Sequence, residues 1–407
     1  MSSYVDATRA SVEHCEAMGQ KFPDLAEPYY QKIASHCQNK LWHQLTLLVL
    51  EFASDPKITL RPLDGEHKNT YVALYKEVVM VVSQKLNSLA LARIAAAVAV
   101  SSLELNGSPE ESKKLLEELL SKQQEKTATT LFLQSQIGLL VLNNSPSKED
   151  LTSIYSTIKT NAPLLKQSLI PDTPEAMVVN SCHYEMSMNY FKIVGPPEAF
   201  YEEAIQYLNY YQPDDTKRSH ALAVDLCLAA LTGDGVYNLG QVVTNPILQA
   251  LKETPEHWLV ELLQACASGS VPEFKTLCQE TYPAQIASQP ALVNMSQKMQ
   301  EKMTLLALVE MVFERAASER TLEFTDIAQR LEIPLEQVEW VIMRAFSVKL
   351  MEGSMDQVDG AVHVTWILPR VLGTEQMADL AKRYGEWAGK VSNIKEYMHE
   401  QNPAMTA

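Results

Sequence analysis

RTLEFTDIAQRLEIPLEQVEWVIMRAFSVKLMEGSMDQVDGAVHVTW, residues Arg320–Trp366, is the stretch whose reading decides the fold. Leu322 and Phe324 alternate with polar neighbours, which predicts a short strand. Thr325 is then placed to cap a helix whose apolar positions are Ile327, Ala328 and Leu331. Ile333-Pro334 stops that helix, because the residue before a proline is pushed out of the helical region. A second helix follows, with Val338, Val341, Ile342 and Ala345 on one face. Leu350–Met355 and Ala361–Thr365 have strand composition, and Asp359-Gly360 between them marks a hairpin turn. The order strand, helix, helix, strand, strand is that of a winged helix.

A winged helix raises DNA binding first, and charge decides against it. A helix that reads DNA needs Lys or Arg for phosphates and polar groups for base edges. Here the second helix carries Glu336 and Glu339 against Arg344 and Lys349, which cancel. Across Arg320–Arg370 the bases Arg320, Arg330, Arg344, Lys349 and Arg370 are outnumbered. The acids are Glu323, Asp326, Glu332, Glu336, Glu339, Glu352, Asp356 and Asp359. Such a module repels phosphate, so it is expected to contact protein.

The whole chain points the same way. Its 407 residues carry a net charge of -16, which disfavours nucleic acid and anionic membrane as partners. The start, MSSYVDATRASVEHCEAM, lacks a basic segment followed by an apolar run, so no secretory leader is expected. No apolar run is long enough to span a bilayer; Leu89–Leu103, the nearest, is alanine-rich and interrupted by Arg93. Six cysteines, none in a C-x-x-C pair, predict buried free thiols in a reducing compartment, and a cytoplasmic and nuclear location is expected.

Outward from the winged helix, almost everything earlier has a helical period. Expected helices cover Tyr71–Leu86, Leu89–Leu103, Glu110–Gln123, Thr129–Leu142, Lys148–Thr160 and Thr173–Val194. Before them, Tyr29–Ser54 reads as a helix pair, followed by a polar loop at Lys57–Lys68. Successive pairs at such spacing predict an α-solenoid of degenerate helical repeats, a scaffold arm. Gly195-Pro196-Pro197 is the strongest break signal in the middle of the chain. The expected organisation is a helical-repeat arm over 1–195, then a second domain over 196–370. Within that domain the helical part covers 196–319, the long helix Ser296–Glu314 leading into the winged helix at 320–370. A C-terminal helix and tail occupy 371–407.

The tail has its own signature. Met377, Tyr384, Val391 and Met398 recur at heptad intervals, as do Leu380, Trp387 and Ile394. This a/d seam is narrower than the face of a core helix, so a bundle with helices of other chains is the expected partner. Gly385 and Gly389 lie off the seam and weaken the helix in isolation.

No chemistry emerges from the remaining residues. The nine histidines form no H-E-x-x-H and no pair at helical metal-site spacing. His14-Cys15, His36-Cys37 and Cys182-His183 are adjacent, so on a helix they point to different sides. Gly233, Gly235 and Gly240 have the wrong spacing for a dinucleotide loop, and no phosphate loop or nucleophile elbow occurs. A non-enzyme without cofactor or metal is expected; a thiol hydrolase would require one cysteine to be essential.

The helices and winged helix together resemble the PCI domain, found in the proteasome lid, the signalosome and the large translation initiation factor complex. The resemblance rests on Ala267–Phe274, the long helix to Phe313, Phe324-Thr325-Asp326-Ile327-Ala328, Val338-Glu339 and the hairpin Glu352–Gly360. Three further stretches, Leu41–Leu47 (LWHQLTL), Thr232–Gly240 (TGDGVYNLG) and His363–Leu372 (HVTWILPRVL), are similar to a PCI subunit of the proteasome lid. The similarity extends from Leu41 onward. It implies a mainly α scaffold that pairs with other lid subunits through PCI strand edges and a C-terminal helix bundle. The ATPase ring would be reached only indirectly. The wing positions Leu350, Met355, Val362 and Val364 are the expected edge contacts. A PCI subunit of a signalosome, translation or mRNA-export complex is the competing expectation.

Overall fold

The computed structural model describes residues 2–54, 70–106, 109–122, 127–168, 173–210, 216–252, 254–315, 320–369 and 374–401; the polar loop expected at Lys57–Lys68 lies outside them. The chain divides into two compact units, Met1–Gln212 and Pro213–Ala407. The division comes after, not at, Gly195-Pro196-Pro197, because the helix beyond those prolines packs back on the one before them.

The first unit is built of successive packed helices. They are α1 (Ser2–Lys21), α2 (residues 23–38, with a π-helical turn at Ala26–Tyr30), α3 (Trp42–Ser54), α4 (residues 70–85) and α5 (Ser88–Asn106). There follow α6 (Pro109–Lys122), α7 (Thr127–Asn143), α8 (Lys148–Ser168), α9 (Pro174–Val194) and α10 (Pro197–Leu208). Phe52 of α3 sits at the centre of an aromatic group, with ring centroids 5.2 Å from Tyr29, 6.1 Å from Tyr30 and 5.8 Å from Tyr71. Burying a ring of this kind is worth about 1.5–3 kcal/mol. Alanine-rich α5 buries Leu91, Ala92, Ile94, Ala95, Val98 and Ala99, their small size letting neighbouring helices come close. α8 runs through Pro163 to Ser168, well past the expected end at Thr160.

The second unit opens with α11 (Thr216–Thr232), α12 (Gly240–Val243) and a 3₁₀ turn at Pro246–Leu251. Next come α13 (His257–Ser268), α14 (residues 271–281), α15 (Pro283–Ser288), α16 (Pro290–Asn294) and α17 (Ser296–Glu314). Leu259, Leu262 and Leu263 of α13 are fully buried, facing α11 and α17. α13 ends at Gly269, whose φ of +71° is left-handed. A side chain there would also meet α17, with a Cβ 2.9 Å from Glu310 Cβ and 3.3 Å from Ala307 Cα.

α17 is the wall shared by the helices and the winged helix. Its Met303, Leu305, Leu306, Ala307, Leu308, Val309 and Val312 are buried over more than one face. Lys302 is buried with them, and its Nζ donates to Ala230 O at 2.5 Å and Gly233 O at 3.1 Å. These are carbonyls at the end of α11, so the ammonium closes that helix terminus. Next to it, Lys298 Nζ lies 2.7 Å from Asp234 Oδ2, fixing the Thr232–Gly235 turn. Burial pushes the Lys302 ammonium down to about 8.

The winged helix consists of β1 (Thr321–Glu323), α18 (Phe324–Leu331), α19 (Leu335–Ser347), β2 (Met351–Asp356) and β3 (Ala361–Ile367). Helix α20 (Thr374–Gln401) follows. The sheet is antiparallel with the order β1-β3-β2. Thr325 does not cap α18: the helix begins one residue earlier, at Phe324, whose N–H donates to Gly360 O at 2.8 Å. α18 ends at Glu332, in the left-handed region, just before Ile333-Pro334.

Burial also sets the alkaline response. It pushes the thiols of Cys15, Cys182, Cys227 and Cys266 up to about 12, and those of Cys37 and Cys278 to about 11. An unfolded thiol releases its proton near 9 while the folded one holds it, so stability is lost as pH climbs past that value. Lys302 acts oppositely: the folded chain releases its proton near 8 and the unfolded chain near 10.5, so stability is gained across that window. The thiols outnumber the lysine. Calorimetry under reducing conditions is expected to show the thermal midpoint falling from about pH 8 to about pH 10, and falling more steeply in Lys302→Met. A level midpoint would refute this.

Candidate interaction surfaces

α19 occupies the position from which a winged helix reads DNA, and its two faces are sharply different. Val338, Val341, Ile342 and Ala345 are buried against the module. The outer face shows Leu335, Trp340 and Met343, each about half exposed at 53%, 53% and 51%. Glu336 and Glu339 stand among them, and Arg344 is occupied by Glu301 of α17 at 2.8 Å. That surface offers a phosphate little and an apolar partner much. Trp340 and Met343 were legible as the positions left over once the buried face was assigned, yet the sequence reading passed them by.

The wing corrects one expectation. Val362 and Val364 lie on β3, which is paired on both sides, and both are buried. Leu350 precedes β2 and is buried as well, its carbonyl accepting from Leu368 N at 2.8 Å. These three hold the module together and offer no edge. Met355 alone of the four is on an outer strand, β2, and it is half-buried. The open edges of the sheet belong to β1 and β2. The hairpin tip is set by Asp356, whose side chain accepts from Val358 N at 2.9 Å and Asp359 N at 3.1 Å, leaving Val358 fully exposed.

β2 keeps its shape through a bulge. The register jumps between Glu352, opposite Trp366, and Gly353, opposite Val364, leaving Thr365 to donate through Oγ1 to Glu352 O at 3.1 Å. At Gly353 a Cβ would lie 2.1 Å from His363 O. Only glycine lets the backbones approach so closely.

The seam of α20 is laid open in this chain. Met377, Leu380, Tyr384, Trp387, Val391, Ile394 and Met398 are all exposed, with Trp387 at 65% and Tyr384 at 63%. Every side chain described between Met377 and Met398 is exposed, Tyr397 included. The structure therefore brings the seam residues onto one helix and, among the described residues, gives them no cover.

The Cys182–His183 pair does not assemble a nucleophile. Cys182 is buried, with Gln136 Nε2 3.0 Å from its sulfur, and burial pushes neighbouring His183 down to about 4. A protonated thiol beside a neutral imidazole lacks the thiolate that attack requires. Among the described residues, no group of His, Cys, Asp and Glu is arranged to hold a metal ion, and no helix is long and apolar enough to cross a membrane.

Packed helices leading into a winged helix define a PCI-domain protein, and the family model described as PCI domain matches residues 278–366. The model described as PSD13 N-terminal repeats matches residues 29–263. The chain is 31% identical over 401 residues to 26S proteasome non-ATPase regulatory subunit 13 homolog B of Arabidopsis thaliana, covering 98% of this chain and 100% of that protein. It is 30% identical over 403 residues to the subunit 13 of Dictyostelium discoideum, with coverage of 98% and 100%. With 26S proteasome regulatory subunit RPN9 of Saccharomyces cerevisiae it shares 27% over 391 residues, 93% of this chain and 94% of that one. The chain belongs to the family of 26S proteasome non-ATPase regulatory subunit 13.

Gly353→Ala is expected to force β2 away from β3 and to cost about 1–3 kcal/mol in urea unfolding. Amide exchange at Met351–Asp356 should accelerate with it; unchanged exchange there would show that the bulge tolerates a side chain.

Proposed function

We propose that the chain is a non-catalytic structural subunit of the lid of the proteasome regulatory particle. It supports lid assembly and so the ATP-dependent degradation of ubiquitinated proteins. The carrying observation is the exposed heptad seam of α20, joined to a family whose members are named as proteasome regulatory subunits. A helix with one apolar stripe and no cover is stable in water only when other helices bury that stripe. In this reading the covering helices belong to other lid subunits, the open edge of β2 adds to a neighbour's strand, and the ATPase ring is engaged through those neighbours. The acidic, apolar face of α19 supports protein rather than nucleic acid as its contact. The subunit acts in the cytoplasm and nucleus, where the complex it joins is soluble. Other PCI complexes are disfavoured because the family match runs nearly the full length of the chain, repeats included.

Tagged full-length chain, a chain ending at Gly373, and a Tyr384→Asp/Trp387→Asp double variant separate these statements. Native affinity purification with mass spectrometry is expected to recover lid and ATPase subunits with the full-length chain only. The double variant should unfold within about 0.5 kcal/mol of the parent, because both side chains are exposed. Full-length chain that purifies alone, or with ribosomal proteins, would overturn the assignment. Undiminished recovery with the chain ending at Gly373 would remove the role of the helix.

A further inference from the structure

The first unit carries a groove that the scaffold reading leaves unused. It has a volume of about 570 Å³ and is floored by Trp42, Leu47 and Leu50 of α3, Leu89 of α5 and Val178 of α9. Leu47 is 55% exposed. Single exposed leucines are ordinary, but apolar side chains gathered around one concavity are the form of a binding surface.

The rim gives the groove its sign. His43, Lys85 and Arg93 border it, against one carboxylate, Glu175. Lys85 and Arg93 are exposed, and among the described residues neither forms an ion pair. In a chain of net charge -16, two uncompensated cations beside an apolar floor are a local reversal. Two long helices also begin at this rim. α5 is capped by Asn87, whose Oδ1 accepts from Leu89 N at 2.9 Å, and α9 by Thr173, whose Oγ1 accepts from Ala176 N at 3.2 Å. Their N-terminal ends add positive potential on the same side.

We propose that this groove binds an acidic peptide segment of another protein. Large apolar side chains of that segment rest on Leu47, Leu50 and Leu89, while its carboxylates meet Lys85 and Arg93. The groove uses none of the residues of the seam or the wing, and its cations select for the partner's charge while the leucines supply the contact area.

The test places p-benzoylphenylalanine at Leu47 of the tagged full-length chain in cells. The purified complex is irradiated and the cross-linked peptide sequenced. The expected product is a segment of another protein that is rich in Asp and Glu and contains large apolar residues. Its yield should fall by about tenfold in Lys85→Glu/Arg93→Glu, whose exposed positions leave folding intact. A product from a neutral or basic segment, from a second copy of this chain or from nucleic acid overturns the proposal. So does a yield indifferent to the charge reversal, or no product. The co-purified proteins are read from the same sample. Lid subunits present without the expected cross-link remove only the groove, whereas their absence removes the scaffold assignment.

Discussion

One buried ammonium holds the second unit in register. Lys302 gives up most of its hydration to reach two carbonyls at the end of α11, and it does so from within a helix buried over more than one face. A charge in that position is tolerated only if its hydrogen bonds are met, so α11 and α17 are confined to the spacing that meets them. Everything downstream inherits that spacing. Glu301, one residue before Lys302, holds Arg344 of α19, and Glu314 at the far end of α17 lies 3.0 Å from Arg330 of α18. These outer ion pairs are exposed and contribute little energy, but they orient the winged helix on a wall that the buried lysine has already fixed.

The way α17 is used explains the division of labour across the winged helix. Its module must bury Val338, Val341, Ile342 and Ala345 on one side, which leaves Leu335, Trp340 and Met343 on the other. The fold that elsewhere reads a phosphate backbone is thereby turned into an apolar, acid-flanked face. The same logic governs the sheet: β3 is taken up by its two neighbours, and what remains for an outside partner is backbone at β1 and β2 rather than the valines.

Local signals in the chain were strong where the physics is local. The bounds of α17 and the order of the winged helix follow from apolar period and from Pro334, and both were readable in advance. So was the seam of α20, since a heptad repeat is visible without knowing what covers it. Strand order was not readable, because β1 joins β3 across a separation that no nearby residue encodes, and that is why Val362 and Val364 looked like edge positions. Lys302 was equally hidden: its acceptors at Ala230 and Gly233 are brought near only by the packing of α11 on α17. The π-helical turns at Ala26–Tyr30, Tyr75–Val79 and Leu277–Thr281 leave no mark in an apolar pattern that continues through them. The basic groove was overlooked because its rim comes from α3, α4, α5 and α9, each ordinary by itself.

The bare stripe along α20 has a consequence for the copy number of the chain. Trp387, Tyr384 and Ile394 face water in this chain, however well the two units are folded. A chain with that stripe bare is thus prone to associate with itself, and more so as its concentration rises. If neighbouring subunits cover that stripe, as proposed above, chain made in excess of them would clump rather than form a reserve, and the surface chemistry of α20 would hold its copy number to theirs.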